Sequence, residues 1–371
     1  MAEYLDREEK IATSIPGLPK PNSSGYLDRE ADLTKDSKST PYSEALSTNF
    51  ILLSLSRLYR RTYASPSFRK IYEILPIPNI YDDHEVINNF VGKDDDSTRP
   101  YPNASSAFYL YNGQANYCSR YEGHYYYDFR YGDAVFFVLD TRRYRSDASD
   151  EGYPTILGNQ QLRDLMDWLG EVNQTSTFKF IVSSAPFTTL WQHDAQTDSW
   201  AAFRHERSII LDLLHTVPNV FILTGDRHEF AAIEFNGPFD WSNTIYEFST
   251  SSLNMFYVPF FRTLDMESSE HVERSRLKSR FSHEGMTSEI REKYSIPGER
   301  VLKYLPSGNH KWISFEIDSR DPLKPTIFIE VIIEGQVAYK WSKIGSSAPT
   351  KRTTSLSPNA NFAEKLGLGR S

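Results

Sequence analysis

Short, unbroken apolar runs that end in small or ionisable residues set the pattern of this chain. Ile77 to Tyr81 leads into Asp82-Asp83-His84-Glu85, and Val135 to Leu139 into Asp140-Thr141-Arg142. Phe178 to Val182 leads into Ser183-Ser184-Ala185-Pro186, and Val220 to Leu223 into Thr224-Gly225-Asp226-Arg227-His228. Continuous rather than alternating hydrophobicity predicts strands buried on both faces. Between the second and third runs, Leu162, Leu165, Met166 and Leu169 recur at helical spacing behind Asn159, a candidate cap. Between the third and fourth, Ile209, Ile210, Leu213 and Leu214 repeat the device, and Pro218 prevents continuation. The alternation predicts an α/β fold with a parallel sheet and helical crossovers. Ligands of such sheets gather outside the carboxyl ends of the strands, so the polar residues behind each run are predicted to converge. Trp312 to Ile317 and Thr326 to Ile333 are predicted as further strands, of a second sheet.

Outside this region the pattern fades. Residues 1–48 are rich in Ser, Pro, Lys, Asp and Glu without an apolar period and read as an extended or disordered lead; residues 346–371 read as a mobile tail. The folded domain is expected over 49–345. The 41 basic against 49 acidic residues of the whole chain give a formal charge of −8, which argues against a nucleic-acid backbone as partner. No apolar run approaches the roughly 18 residues of a membrane span. The first residues lack the basic and apolar regions of a signal peptide. A lone Cys118 excludes an intramolecular disulfide framework and a Cys-cluster metal site.

Candidate chemistry concentrates in two clusters. In Gly225-Asp226-Arg227-His228, an extended backbone past the strand would point Asp226 and His228 the same way, toward one ion. A carboxylate with an imidazole suits a divalent or trivalent transition metal better than calcium alone. A packed histidine beside a turn-forming aspartate would leave the same letters. Asp82-Asp83-His84-Glu85 is costly to bury unless it binds cations, and a solvated acidic loop is the alternative. Arg142 can hold an anionic oxygen through its forked donors or anchor loops by salt bridges.

Taken together with Phe137 to Arg145, Leu157 to Leu162 and Leu223 to Glu229, the stretch Tyr81 to Phe90 resembles the PhoD-like (alkaline phosphatase D) metallophosphatases. The similarity runs from about Leu58 to Ile317, and the fungal branch looks closest through Tyr59-Arg60-Arg61, Tyr127 to Asp133 and Ala185 to Phe187. The resemblance implies a four-layer α/β/β/α sandwich and a metal centre hydrolysing phosphate mono- or diesters with metal-activated water. By it, Asp83, Asp226 and His228 are metal ligands, His84 is the general acid and Arg142 contacts phosphate. Asp82, Asn88, Asn89 and Asp140 are possible partners around them. The implied cofactors are divalent or trivalent ions of the iron, calcium, zinc or manganese class. Relatives of this kind are often exported or membrane-anchored.

The chain departs from that pattern in one respect. The family's first metal motif, Gly-Asp-x-x-Tyr after an early buried strand, does not occur: the Gly-Asp pairs are Gly132-Asp133 and Gly225-Asp226, both downstream of Asp82. This leaves two readings, an incomplete version of a normal enzyme and a catalytically impaired chain that binds metal or phosphate. A third, from another class, is a carbohydrate-binding module using the aromatic stretch Tyr121 to Tyr131. The charged segment Met266 to Arg300 is expected to be a helical insertion over the site entrance.

Overall fold

The computed structural model of the protein describes residues 55–346, except 98, 151, 251–252, 254–262, 282–286 and 307–309. The lead expected over 1–48 and the tail expected after 346 lie outside the described residues.

Three of the four apolar runs form strands. β2 (Ala134–Val138), β3 (Phe178–Ser183) and β4 (Val220–Thr224) pair in parallel, and β6 (Ile245–Ser249) joins β4 in the same sense. Antiparallel strands complete a seven-stranded sheet: β1 (Tyr127–Tyr131) on one side, and β5 (Phe230–Phe235) with β9 (Glu299–Leu305) on the other. The run Ile77 to Tyr81 does not form the expected strand. Pro76 and Pro78 deny it ladder donors. The backbone of Asn79 is instead held by the Asn116 side chain, which accepts from its N–H and donates to its carbonyl, each at 2.7 Å.

The crossovers are helical as expected. α3 (Gly158–Val172) follows α1 (Pro66–Tyr72) and α2 (Tyr101–Tyr111), and α5 (Arg204–Leu214) follows the short α4 (Ala195–Asp198). Asn159 does not cap α3, which begins one residue earlier without a side-chain cap. The segment leading into it is held from a distance: the Glu206 carboxylate of α5 accepts from Ile156 N–H at 2.6 Å and from the Thr155 hydroxyl, whose oxygen in turn accepts the Gly158 N–H at 2.8 Å.

One face of the large sheet packs on these helices through Val135, Phe137, Leu165, Trp168, Ile210 and Leu214. The other packs on a second, antiparallel sheet of β10 (Lys311–Asp318), β11 (Thr326–Ile333) and β12 (Gln336–Ile344) through Phe180, Phe221, Phe248, Ile327, Ile329 and Val331. The described residues thus form a helix layer and two stacked sheets.

The described residues of Met266 to Arg300 form no helix. They contain a two-stranded ribbon, β7 (His271–Phe281) and β8 (Thr287–Pro297), tied by cross-strand ion pairs such as Lys293 with Glu273. Its base enters β9 at Glu299, opposite Phe235, at the end of β5 remote from Asp226. The expected cover over the entrance is therefore not where this segment attaches.

Of the tyrosines considered for glycan binding, Tyr121 and Tyr131 are exposed, whereas the central ones belong to the core. Tyr126 and Tyr127 are buried, with their hydroxyls on Asp164 and on the Asn79 carbonyl.

Candidate metal centre

Asp82 to Glu85 follows the proline-rich run as a single turn closed at both ends. The Asp82 N–H donates to Glu85 Oε2 at 2.8 Å, while the Asp82 side chain accepts within the same turn. This closure lets two consecutive aspartates leave the chain in different directions. Asp82 Oδ1 accepts from the Ser184 hydroxyl at 2.9 Å and from Arg142 Nε at 2.5 Å. Asp83 is 1% exposed; its Oδ2 accepts the Asn89 N–H at 2.7 Å, and its Oδ1 has no hydrogen-bond partner among the described residues.

Asp226 arrives from β4. Gly225 brings the backbone close to β3, where an added Cβ would lie 3.1 Å from the Ser184 carbonyl. Asp226 then takes a left-handed φ of 66°, and Arg227 N–H turns back to the Gly225 carbonyl at 2.8 Å. The extended backbone assumed for the tetrapeptide is therefore absent, and Asp226 and His228 do not project as neighbours on one strand face.

The outcome is a carboxylate triad. One oxygen each from Asp82, Asp83 and Asp226 lies within 4.8 Å of the others. His228 is not part of that triad, but it lines a cavity of about 280 Å³ with Asp83, His84, Asn88, Asn89 and Asp226. His84 stands at this cavity with a largely exposed ring, its Nδ1 3.4 Å from Asp83 Oδ1. A larger hollow of about 560 Å³ adjoins Asp82 and Asp226 on the other side, lined by Leu223, Phe248, Ile313, Phe315 and Lys311.

Arg142 lies beneath the triad rather than open to the cavity. It is 0% exposed and all three guanidinium nitrogens face carboxylates: Nε meets Asp82, and Nη1 and Nη2 meet Asp198 at 2.7 and 2.9 Å. The expected contact of Arg142 with phosphate is not what this geometry offers; the salt-bridge alternative describes its place. Asp140 turns away as well. It accepts from Tyr81 at 2.5 Å and from the Arg142 and Arg143 N–H groups, so it shapes the loop that carries Arg142.

Charge explains what this cluster can do. Burial pushes the Asp226 carboxyl up to about 7, and the neighbouring Asp82 and Asp198 charges add to the shift. Burial also opposes the charge on Asp82, but Arg142 outweighs it and holds Asp82 below the ordinary range. His228 is held below the ordinary histidine value by burial and by Arg227 and Lys311. A cation fits this set on three counts: converging carboxylates, a buried Asp83 oxygen that accepts no hydrogen bond, and an aspartate that resists ionisation without a counter-charge. The triad is all oxygen, a donor set that suits hard cations.

Sequence reasoning assigned no part in this site to Asp198, Ser184 or Arg227, whereas Arg145, one of the arginines after Asp140, takes the salt-bridge role considered for that run. Ser184 sits in a strand-end segment already singled out. Asp198 lies in the polar stretch Gln192 to Ser199, with no motif to mark it.

Comparison with curated proteins gives no match. Among solved structures the chain is similar to a "Structure of PhoD", at 20% identity over 60% of this chain and 54% of that one, with a TM-score of 0.39. It is also similar to GAP50, "the anchor in the inner membrane complex of Plasmodium", at 14% identity over 69% and 67% of the two chains, TM-score 0.41. A purple acid phosphatase, PPD1, from yellow lupin (Lupinus luteus) seeds matches at 12% identity over 75% and 43%, TM-score 0.39. The chain spans little more than half the length of that PhoD structure. The family model described as PhoD-like phosphatase matches residues 28–291, beginning earlier and ending sooner than the resemblance read from the motifs. With more than half of its residues matched, the chain belongs to the PhoD-like phosphatase family.

Proposed function

We propose that the protein is a metal-dependent phosphoric ester hydrolase, acting on a phosphate mono- or diester. The observation that carries this reading is the carboxylate triad, with an Asp83 oxygen that accepts no hydrogen bond, two of whose members line a cavity together with two histidines. Asp82, Asp83 and Asp226 would hold the ion, with His228 available from the cavity wall. A bound ion there supplies Lewis acidity toward phosphoryl oxygens and an acidified water as nucleophile. Arg142 fixes the orientation of Asp82 from below, and Asp198 fixes Arg142. His84, exposed on the cavity side, is positioned to give its proton to the departing ester oxygen, a role worth about 100-fold or more. Asn88 and Asn89 both line the cavity, and the Asn89 backbone N–H donates to Asp83. A fourth layer of the expected sandwich would cover the outer face of β10–β12, where Trp312 and Phe328 are exposed.

The test is hydrolysis of p-nitrophenyl phosphate by the full chain after reconstitution with manganese, zinc, calcium or iron. Loss of turnover in both His84→Ala and Asp226→Ala is expected; unchanged turnover in either sinks the assignment. A second reading, a metal or phosphate binder with impaired catalysis, is favoured by a specific feature: the triad is the single candidate cluster among the described residues, and no Gly-Asp-x-x-Tyr occurs. Manganese-induced stabilisation without turnover would select it.

A further inference from the structure

Three successive residues, Asp226, Arg227 and His228, all line the same cavity of about 280 Å³. On an extended strand the middle one would point away from its neighbours. The left-handed turn at Asp226 removes that alternation and brings Arg227 to the side of the carboxylate triad.

Arg227 is the only arginine in that lining among the described residues. Its Nη1 donates to Asp194 at 2.9 Å, its guanidinium carbon lies 5.4 Å from the centre of the buried Trp191 ring, and its buried Nε has no hydrogen-bond partner. Asp194 is 67% exposed, so that ion pair is screened by water and holds the guanidinium without neutralising it strongly. Arg142 and Arg145 are fully buried and committed to Asp198, and Arg143 to Asp96. A phosphate ester entering this cavity meets carboxylates that already offset much of a bound cation's charge. It therefore needs a further positive group facing the same space, and a stacked, planar fork of donors fits its oxygens.

We infer that Arg227, held between Asp194 and Trp191, binds the phosphoryl oxygens of the substrate and sets the site's preference for an anionic phosphate. This rests on the phosphoric-ester reading above. Asp194 and Trp191 act as positioning residues.

The experiment uses the full chain loaded with manganese and measures inorganic phosphate binding by calorimetry alongside p-nitrophenyl phosphate kinetics. Arg227→Met should weaken phosphate binding by about 10- to 100-fold, the worth of a charge-assisted hydrogen bond, and raise KM in parallel. Its manganese affinity should stay within about twofold of the parent. Arg227→Lys should recover part of the binding. Asp194→Asn should bind phosphate at least as tightly as the parent, because the amide oxygen still accepts from Arg227 while the competing negative charge is removed. Undiminished phosphate binding in Arg227→Met overturns the inference. So does an equal loss of manganese affinity, or an equal loss of phosphate binding in Asp194→Asn, since each would make the residue a structural part of the wall. A parent protein that hydrolyses the ester while Arg227→Met binds phosphate normally overturns this inference alone. A parent that neither binds phosphate nor hydrolyses the ester overturns the functional reading with it.

Discussion

Replacing Asp198 with alanine strikes the support beneath the triad. Asp198 Oδ1 accepts from Arg142 Nη1 at 2.7 Å and from Arg145 Nη1 at 2.6 Å, and Oδ2 accepts from Arg142 Nη2 at 2.9 Å. After the substitution Arg142 retains Asp82, but Arg145 is left with backbone carbonyls, that of Thr141 at 3.0 Å among them. Its Nη2 already lacks a partner. The strain on that cation is visible in the parent: burial, together with the charge of Arg142, pushes the Arg145 guanidinium down to about 10. Breaking a buried ion pair from one side costs about 3–5 kcal/mol, because the abandoned charge stays buried. Against a total stability of roughly 5–15 kcal/mol this is a large fraction. At about 3 °C per kcal/mol it lowers the melting midpoint by about 10 °C.

Urea unfolding followed by tryptophan fluorescence measures the loss, with equal slopes required so that stability alone is compared. The decisive partner is Arg145→Met. Alone it should destabilise; added to Asp198→Ala it should restore about 1–3 kcal/mol by removing the abandoned cation. A loss below about 1 kcal/mol for Asp198→Ala, or strict additivity in the double variant, would show that the hub does not carry the strain assigned to it.

Asp226→Asn should stabilise the metal-free protein, since it relieves repulsion within a triad whose oxygens lie within 4.8 Å, and should abolish the rise in melting temperature on adding manganese; a preserved rise would remove Asp226 from the ligand set. Lys179 is buried, donates to the Thr177 and Pro218 carbonyls, and is pushed down to about 8 by burial. The unfolded lysine binds its proton more tightly, so stability should rise by about 3 kcal/mol as pH increases from 8 to about 10.5, and Lys179→Met should erase that rise; parallel stability curves for the two proteins would contradict this. Gly92→Ala would place a Cβ 2.2 Å from the Arg143 carbonyl oxygen, in the loop whose Gly92 N–H bonds the Arg142 carbonyl, so thermal stability and manganese affinity should both fall. Gly170→Ala, inside α3 with nothing within 4 Å of the new carbon, should instead raise stability by about 0.5–1 kcal/mol; the opposite order of these two variants on a melting curve would refute the packing argument.

Legibility in the sequence followed burial. β2, β3 and β4 announced themselves because a strand covered on both faces must be apolar at every position, and α3 and α5 because each buries one stripe. The run before Asp82 is just as apolar but carries Pro76 and Pro78, and the proline signal should have outweighed hydrophobicity there. The β7–β8 ribbon is charged on its surface and stabilised by cross-strand pairs, so it leaves no apolar period for either a helix or a strand. At the site, Asp83 and Asp226 could be placed together because each follows an apolar run, although only the run before Asp226 is a strand. What linear spacing could not supply was backbone direction: the left-handed turn at Asp226 decides which of three consecutive side chains face the cavity. Asp198 comes from α4, whose position depends on how the segment after β3 crosses the sheet, and its partners are 53 and 56 residues away.

The charges around the triad also explain why the two kinds of arginine are separate. Asp82, Asp83, Asp198 and Asp226 present four carboxylates, and Arg142 and Arg145 present two guanidiniums, so the buried hub keeps two negative charges when all are ionised. Without a cation that excess is relieved by raising Asp226, which burial and the Asp82 charge push up, whereas Asp82 stays ionised against Arg142. One divalent ion would balance the hub and leave little net attraction for an incoming phosphate. A guanidinium inside the hub could not supply that attraction, because its donors already satisfy carboxylates that would otherwise be buried alone. The anion must find a cation whose own partner lies at the solvent edge, and the Arg227–Asp194 pair meets that condition. Holding a metal and holding its substrate thus make opposite demands on burial, and the chain meets them with arginines on two different loops.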